Sequence, residues 1–508
     1  MPSHSSLRTT PAGQARTLRD SAVAACMAGA KALHAGNTAD ALRRYANGVA
    51  LAPHDADVAA LHGVALRSAN RLQDAQRELI RAISLDPSRA DSYTQLAQTF
   101  RMVGDRAQAA QAFLAAAALC PEDAIAWRDA AESLRLAGRL TDGLHVARHA
   151  ATLAPNDASI ANTTALLLHR AGDLEAALTL CERARSVAAD DLHLTLTHAM
   201  LLRTCERYDE GWALYERRLE LPEFLGRPYP PVSPRWTGDA LDGRCILVQA
   251  EQGLGDQVQF VRWAGLLHQR GAGRVIVQTA PSLLRLLETA PGVDAVVSSN
   301  ASSPAHDVHV DLLSLPHLLC VGCDMGAKRV PYLRPVASCD AIVMPPKRAG
   351  SLRIGLVWGG TPLHADDATR SLPLRLLENV IARSDVEIVI LQQGVARREL
   401  NDIDPAHRNR FIDVAADCHD FADTAHVITQ CEVVLSVDTA VAHVAGALGV
   451  ATWVMVAEPA EWRWGRSRTD SIFYPSVRVF RQRRGGDWSA VITALQQAIT
   501  TWTGEHAA

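Results

Sequence analysis

The sequence predicts an α-helical repeat array followed by two α/β domains with parallel strands. Two patterns lead to this prediction. Before about residue 221, small residues and prolines recur at a fixed step of 34, and after about residue 244, short β-branched runs alternate with helical segments. Strands that alternate with helices imply parallel sheets with right-handed crossovers. A proline-rich stretch separates the two patterns and marks a domain boundary.

The 34-residue step is kept in separate registers of the first part of the chain. The prolines are Pro53, Pro87, Pro121 and Pro155, the turn residues are Gly36, Asn70, Gly104, Gly138 and Gly172, and the small residues include Gly63, Ala97, Ala131 and Ala165 as well as Ala41, Ala75, Ala109, Gly143 and Ala177. Small residues let two helices approach closely, glycine or asparagine permits the turn, and proline ends a helix. A helix–turn–helix unit of this length and pattern resembles the tetratricopeptide repeat (TPR).

We predict about six such repeats over residues 21–221, preceded by a disordered tail at residues 1–20. Helical arrays of this kind present a concave surface for binding. We therefore expect a protein partner in the groove of the array, with a purely structural spacer as the alternative.

Composition limits the classes of partner. The 508 residues carry a formal net charge of −4, which argues against nucleic acid as the main partner. The longest apolar stretches are too short to cross a bilayer, so we expect no membrane insertion. Residues 1–20 have no apolar core of the kind found in a secretory signal, and we expect a cytoplasmic protein.

The remainder of the chain divides into four segments. Five prolines between Pro222 and Pro234 predict a stiff, extended linker over residues 222–243. The first α/β domain covers residues 244–335, with strands predicted at Cys245–Gln249, Arg274–Thr279, Ala295–Ser298 and Asp307–Asp311 and helices at Gln257–Arg270 and Ser282–Ala290. The second α/β domain covers residues 352–486, with strands predicted at Leu352–Val357, Glu387–Leu391, Val433–Val437 and Thr452–Val456. An amphipathic helix over residues 487–502 closes the chain.

The turn after the first predicted strand contains Gly253, Gly255, Asp256 and Gln257. Its two glycines allow a ligand to approach the backbone closely, and Asp256 opens the helix that follows. Asp256 is either a carboxylate that faces a substrate hydroxyl or only a cap of the helix. The spacing of these residues by itself favours the helix cap.

The turn after the strand Val433–Val437 contains Asp438 and Thr439, where a small-residue helix begins. A helix N-terminus offers backbone N–H groups and a positive dipole end, and therefore attracts phosphate. His443 follows Thr439 by four residues and lies on the same helix face. The alternative is that Asp438 is only a cap and His443 a satisfied, half-buried residue.

Other loops leave the carboxyl ends of strands in the second domain and should meet at the same sheet edge. They carry Trp358, Gly359 and Gln392, together with Arg370, which is either a phosphate contact or an exposed loop arginine. His364 with the two aspartates that follow could bind a metal ion, but no further ligands stand at a matching spacing, so we predict no metal site. The segment Trp462-Arg463-Trp464 is predicted to pack between domains.

Several segments together resemble the bacterial TPR-linked glycosyltransferases. They are Gly253-Leu254-Gly255-Asp256-Gln257-Val258-Gln259-Phe260, Gly355-Leu356-Val357-Trp358, the loop His364 to Ser371, Val437-Asp438-Thr439-Ala440 with His443, Trp462-Arg463-Trp464, Tyr474-Pro475, Phe480-Arg481-Gln482 and Gly485-Gly486-Asp487-Trp488. The α/β part is similar to the lipopolysaccharide heptosyltransferases and, in layout, to O-GlcNAc transferase. The resemblance covers about residues 244–502, and nearly the whole chain with the repeats. It implies a GT-B fold, in which two Rossmann-like domains enclose a cleft and work without a metal ion.

The resemblance also implies roles for particular residues. Asp256 corresponds to the catalytic base, and Asp438, Thr439 and His443 correspond to the turn that binds the donor nucleotide. The other candidate nucleotide-sugar contacts are Gly253, Gly255, Gln257, Trp358, Gly359, His364, Arg370 and Gln392. The chain departs from the family in two ways: Ala365 stands where a basic residue often follows the loop histidine, and the first domain is short.

These observations lead to an expected function. The resemblance implies transfer of a sugar from a nucleotide-sugar donor, the co-substrate in place of a cofactor, to a protein hydroxyl. The TPR-linked group includes flagellin glycosyltransferases, which makes a protein acceptor docked on the TPR array the expected one. The alternatives are a non-catalytic TPR scaffold with a degenerate transferase half, and a heptosyltransferase-like enzyme that acts on a glycan or lipid.

Overall fold

A computed structural model describes residues 11–225, 232–321, 330–336, 342–361, 367–408 and 411–505. The chain divides into two compact units, Met1–Leu194 and Thr195–Ala508. We call them the helical unit and the α/β unit.

The helical unit consists of antiparallel helix pairs in sequence order. Its described helices are α1 (Pro11–His34), α2 (Thr38–Leu51), α3 (Ala56–Ser68), α4 (Leu72–Leu85), α5 (Ala90–Val103), α6 (Arg106–Leu119), α7 (Ala124–Leu136), α8 (Leu140–Leu153), α9 (Ala158–Arg170) and α10 (Leu174–Arg185). The predicted TPR-like helical repeat is therefore confirmed.

The repeated residues act as the sequence indicates. The turn residues Gly36, Asn70, Gly104, Gly138 and Gly172 all have positive φ, between 59° and 88°, which glycine and asparagine tolerate. Small residues stand where helices touch: a Cβ on Gly63 would lie 2.6 Å from Leu79 Cγ. Each of α2, α4, α6 and α8 ends two residues before its proline.

Two boundaries of the predicted array differ from the structure. The predicted disordered tail is wrong for residues 11–20, because α1 begins at Pro11, a residue suited to the first turn of a helix. Arg19 in this segment forms ion pairs with Asp55 and Asp57 of the next pair. Residues 1–10 lie outside the described residues.

A sixth helix pair, α11 (Leu192–Thr204) and α12 (Tyr208–Tyr215), belongs almost entirely to the α/β unit rather than the helical unit. A 3₁₀ turn at Glu216–Glu220 and the short helix α13 (Pro222–Leu225) follow. The pair is held there by its aromatic side chains: Trp212 packs edge-on against Phe260, with ring centroids 5.3 Å apart.

The α/β unit contains two sheets, and every strand pair in both is parallel. The first sheet has the order β3-β2-β1-β4, with β1 (Cys245–Gln249), β2 (Arg274–Thr279), β3 (Ala295–Ser298) and β4 (Val308–Asp311). The second has the order β10-β9-β8-β5-β6-β7, with β5 (Leu352–Val357), β6 (Val386–Ile390), β7 (Ile412–Asp413), β8 (Val433–Val437), β9 (Thr452–Val456) and β10 (Val477–Arg481). The predicted parallel sheets are confirmed.

Short helices connect the strands. They are α14 (Leu254–Phe260), α15 (Leu266–Gln269), α16 (Leu284–Leu287), α17 (Leu315–Leu318), α18 (Asp367–Arg370), α19 (Glu378–Ile381), α20 (Pro405–Arg408), α21 (Phe421–Ile428), α22 (Ala440–Leu448) and α23 (Ser489–Glu505). The long helices predicted at Gln257–Arg270 and Ser282–Ala290 are wrong in extent. At Gly265 a Cβ would lie 2.6 Å from Pro291 O, so two backbone segments cross closely there and the helix is interrupted.

The predicted linker over residues 222–243 is only partly extended and exposed. Residues 226–231 lie outside the described residues. Beyond them the chain joins the first sheet: the Trp236 N–H donates to His309 O (2.8 Å), and the His309 N–H donates to Pro234 O (3.1 Å). The Trp236 side chain is fully buried, because its indole fills the core beside β4.

The core runs through the whole α/β unit. One hydrophobic cluster joins the first sheet, the sixth helix pair and one face of the second sheet. A second cluster covers the opposite face of the second sheet, where α23 contributes Val491, Leu495 and Ile499. None of the described helices has the length and apolar character needed to cross a lipid bilayer.

Candidate functional site

Each sheet has one point where the strand order reverses. In the first sheet it lies between β1 and β4, and in the second it lies between β5 and β8. Ligands of open parallel sheets bind beside the carboxyl ends of the strands at such points. The candidate residues come from the turns after β1, β5, β6 and β8, and so from these edges.

The turn after β1 is built around Asp256, the third residue of α14. The Gly253 N–H donates to Asp256 Oδ2 (3.0 Å), so the carboxylate caps the helix start. The Gln257 amide is turned away: its Oε1 accepts from Thr279 Oγ1 (2.7 Å) and from the Ala280 N–H (3.2 Å) at the end of β2. Gln257 therefore fixes the turn against the neighbouring strand.

The reversal point of the first sheet holds a buried ion pair. Arg218, from the 3₁₀ turn after α12, donates to both carboxylate oxygens of Glu251 at 2.9 and 2.5 Å. The Leu313 N–H, from the turn after β4, donates to the same carboxylate at 2.8 Å. Both side chains are almost fully buried. This pair ties the sixth helix pair to the strand that leads into the Asp256 turn.

The turn after β8 begins α22. Thr439 is its N-cap residue, and the Thr439 hydroxyl lies 3.0 Å from Ser436 Oγ instead of capping the helix. Gly449 ends the helix in a left-handed conformation at φ 74°, which glycine adopts readily at a helix C-terminus. His443 Nε2 stands 4.0 Å from Asp438 Oδ1.

The two turns lie against each other. A Cβ placed on Gly255 would lie 2.7 Å from His443 Cδ2 and 3.6 Å from the Ala440 Cα. Only a residue without a side chain allows α14 and α22 this close to each other. The structure therefore brings Gly255 and Asp256 of the first sheet next to Asp438 and His443 of the second.

Arg463 joins these turns, and the sequence alone did not identify it as a site residue. Its guanidinium forms an ion pair with Asp256, a second with Glu461 (2.6 Å) and a hydrogen bond from Nε to Gln259 Oε1 (2.6 Å). Its side chain is 12% exposed. Burial lowers the pKa of Arg463, but Asp256, Glu461 and Asp438 outweigh that effect and hold the pKa above its ordinary value. The only feature of the sequence that could have identified Arg463 is a charged residue placed between two tryptophans.

His443 sits in an aromatic, buried setting. Its Nδ1 is 2.9 Å from the Tyr474 hydroxyl, and its ring stacks on Trp464 with centroids 5.5 Å apart. Burial, with the charges of Arg463 and Arg262, holds the pKa of His443 well below the ordinary histidine value. The imidazole is therefore neutral near pH 7 and acts through hydrogen bonds.

At the β5 edge, Gln392 organises the turn. Its Oε1 accepts from the N–H groups of Trp358 (3.0 Å) and Gly359 (2.9 Å), and its Nε2 donates to Gly359 O (3.0 Å). The Trp358 ring is fully buried in the core, so at this sheet edge Trp358 can contribute only its main-chain atoms. Arg370 lies over the next residue: a Cβ on Gly360 would stand 2.6 Å from its Nη2. His364 lies outside the described residues.

The described residues contain no cluster of three or more His, Cys, Asp or Glu side chains arranged around a metal position.

Comparisons with known proteins are limited in extent. No protein-family model matches the sequence. Protein FlbA from Caulobacter vibrioides is 25% identical over 328 residues, which are 58% of this chain and 52% of FlbA, so the chain spans about half the length of that relative. Among solved structures, MamA from Desulfovibrio magneticus is 17% identical with a TM-score of 0.31. The alignment covers 34% of this chain and 97% of the MamA chain. PilF from Pseudomonas aeruginosa is 20% identical with a TM-score of 0.33, and the alignment covers 41% of this chain and 92% of the PilF chain.

Proposed function

We propose that this protein is a glycosyltransferase that moves a sugar from a nucleotide-sugar donor to a hydroxyl group of a protein, without a metal ion. The observation that carries the proposal is the contact between the turn after β1 and the turn after β8. Transfer between two substrates needs a group that activates the acceptor and a group that holds the leaving nucleotide, both within reach of one carbon atom. Each sheet supplies one of these groups.

Asp256 is the base of the proposed reaction. It takes the proton of the acceptor hydroxyl while the acceptor oxygen forms a bond to the anomeric carbon and the bond from that carbon to the donor phosphate breaks. A carboxylate offers about four lone-pair positions, and the contacts with Gly253 and Arg463 occupy one on each oxygen. The side chain is 20% exposed, so an acceptor hydroxyl has room to bind to it.

The donor phosphates are assigned to the second sheet. The Thr439 side chain bonds to Ser436, so within the described residues the first N–H groups of α22 face the turn without a cap from that side chain. These N–H groups and the helix dipole would stabilise the charge that develops on the leaving phosphate. Arg370 at the neighbouring β5 edge is the proposed cationic contact, and neutral His443 is a hydrogen-bonding one.

The protein acceptor is assigned to the helical unit. Five described helix pairs offer far more surface than one sugar needs, and TPR-like arrays use such surfaces for binding. A segment docked there would have a raised effective concentration at the transferase half. This assignment completes the proposal of a protein O-glycosyltransferase.

One observation favours a second candidate, a TPR scaffold whose transferase half does not turn over. Arg463 interacts with three carboxylates, those of Asp256, Glu461 and Asp438, so the base is already paired and its cation is shared with two further acidic groups. Such a neighbourhood is less favourable for a diphosphate than one with free cations.

A donor panel separates the two candidates. The full chain is incubated with UDP-, GDP- and CMP-sugars, with and without a cell extract as acceptor source, and nucleotide release is measured with and without EDTA. We expect release from one donor class, unchanged by EDTA, and about 100-fold slower release from Asp256→Asn. Asp470→Asn, which removes a carboxylate from a surface ion pair with Arg468, is the matched control. No release from any donor would favour the scaffold, and loss of release in EDTA would contradict the metal-free mechanism.

A further inference from the structure

We infer that Arg463 is the positioning residue of Asp256: anchored in the loop after β9, it holds the acceptor-activating carboxylate of the first sheet in place. The inference rests on the proposed function, because it assigns a task to the proposed base. It goes beyond that proposal because the position of Asp256, after the first sheet's strand β1, depends on Arg463, after the second sheet's strand β9.

The anchoring of Arg463 is complete on three sides. Nε donates to Gln259, Nη1 donates to Glu461, and Nη2 donates to Asp256. The Arg463 backbone N–H also donates to Glu461 Oε2 at 2.9 Å. A guanidinium is a rigid planar fork, so fixing two of its nitrogen atoms fixes the direction of the third. Asp256 therefore meets a donor whose position is set before any substrate binds.

The loop that carries Arg463 is itself held by the sixth helix pair. The Trp462 ring lies 5.5 Å from Trp212 and 5.8 Å from Phe473, in edge-to-face contacts. The Arg203 guanidinium lies over the same ring at 5.0 Å, and the Arg463 guanidinium lies 4.5 Å from it. Burial lowers the pKa of Arg203 to about 10, so it stays charged at neutral pH. These edge-to-face and cation–π contacts keep Trp462, and with it Arg463, in one position.

Removal of the guanidinium gives the pairing a measurable consequence. Asp256 Oδ2 would keep its hydrogen bond from the Gly253 N–H, while Asp256 Oδ1 would lose the Arg463 Nη2 donor. A carboxylate held on one side only is less often in position to take the proton of the acceptor hydroxyl. Turnover should therefore fall while donor binding is kept.

The test uses the full chain and three variants at one segment. Arg463→Gln removes the charge, Arg463→Lys keeps the charge but loses the fork, and Arg468→Gln removes a surface arginine that pairs with Asp470 in the same loop. For Arg463→Gln we expect kcat to fall by roughly tenfold or more, with donor affinity within about twofold of the wild type. Arg463→Lys should recover only part of the lost kcat, because an ammonium group lacks the planar fork of the guanidinium. Arg468→Gln should match the wild type.

Two results would overturn the inference. One is an unchanged kcat with weakened donor binding, which would make Arg463 a donor contact. The other is an unchanged enzyme. If no donor supports turnover, the proposed function fails, and urea unfolding of the wild type, Arg463→Gln, Asp256→Asn and the double variant decides whether Arg463 holds Asp256. Non-additive midpoints support the pairing, and additive midpoints refute it.

Discussion

At the scale of single residues, the site depends on groups whose chemistry is set by burial. His443 was predicted as a phosphate contact, and the structure gives it a hydroxyl partner and a stacked indole but no charge at neutral pH. Its part in any leaving-group stabilisation is therefore that of a hydrogen-bonding group. The charge next to it comes from Arg463, which is paired with the carboxylates.

The depressed pKa of His443 predicts how acid affects stability. The unfolded chain protonates this histidine near pH 6.5, while the folded chain resists protonation until lower pH. The unfolded state therefore binds more protons between those values, and stability present above about pH 6.5 is lost as the pH falls. Each unit of pKa depression corresponds to about 1.4 kcal/mol.

We expect His443→Gln to lose less melting temperature between pH 7.5 and pH 5.5 than the wild type does. Thermal unfolding followed by circular dichroism at both pH values measures this difference. His193→Gln, a change at an exposed histidine of α11, should behave as the wild type. Equal losses in His443→Gln and the wild type would show that His443 does not resist protonation in the folded chain.

Arg463 shows why part of the site escapes prediction from sequence. The turns containing Asp256 and Asp438 follow apolar strands directly, and the rule that parallel strands present ligands at their carboxyl ends is enough to select them. The contact between Arg463 and Asp256 joins residues 207 positions apart and exists only because two sheets pack together. Within the sequence, Trp462-Arg463-Trp464 indicated packing, which the buried tryptophans confirm, but gave no sign of the partner.

At the scale of elements, strand prediction succeeded where burial is complete. The predicted and observed bounds agree for Val433–Val437 and Thr452–Val456, because a strand buried on both faces is a mostly apolar run. The edge strand β10 was missed, since Arg478 and Arg481 interrupt its pattern on an exposed edge. The two-residue strand β7 is too short to leave a pattern.

The close approach of α14 and α22 predicts an unusual glycine effect. Alanine in place of a helical glycine ordinarily stabilises, because it reduces the entropy of the unfolded chain. At Gly255 the added methyl group would meet the His443 ring, which is held by Tyr474 and Trp464. We expect Gly255→Ala to destabilise by about 1–3 kcal/mol through overpacking and to lower turnover by separating the turns.

Urea unfolding and the nucleotide-release assay measure both effects of Gly255→Ala. The matched control is Gly143→Ala in α8, whose register carries alanine at Ala75, Ala109 and Ala177. There the nearest atom to an added methyl group is the flexible end of Leu167, which can move. If both variants keep full stability and turnover, the two turns do not need their close contact.

At the scale of the whole molecule, the boundary between the helical unit and the α/β unit does not fall at the proline-rich stretch. The α/β unit begins at Thr195, so the sixth helix pair belongs with the sheets. Trp212 fills the core against Phe260 and Trp462, and Arg218 neutralises buried Glu251 beside the reversal point of the first sheet. A cut before Pro228 would remove both residues and leave Glu251 unpaired.

Two truncations therefore have opposite expected outcomes. Fragment 191–508 keeps Asp191, whose carboxylate accepts from the Leu194 N–H (2.7 Å) at the start of α11, and keeps every side chain that packs around Trp462. Fragment 228–508 loses the partner of a buried carboxylate, at a cost of about 3–5 kcal/mol, and a buried tryptophan, at a cost of similar size. These losses together approach the whole stability of an ordinary domain.

We expect fragment 191–508 to melt cooperatively and to release nucleotide from the donor at the rate of the full chain. It should lose transfer to the protein acceptor, and fragment 1–190 should still bind that acceptor. Fragment 228–508 should be unfolded by circular dichroism. If fragment 191–508 glycosylates the acceptor as fast as the full chain, the helical unit is not its docking site, and if fragment 228–508 folds, the sixth helix pair is not part of the transferase half.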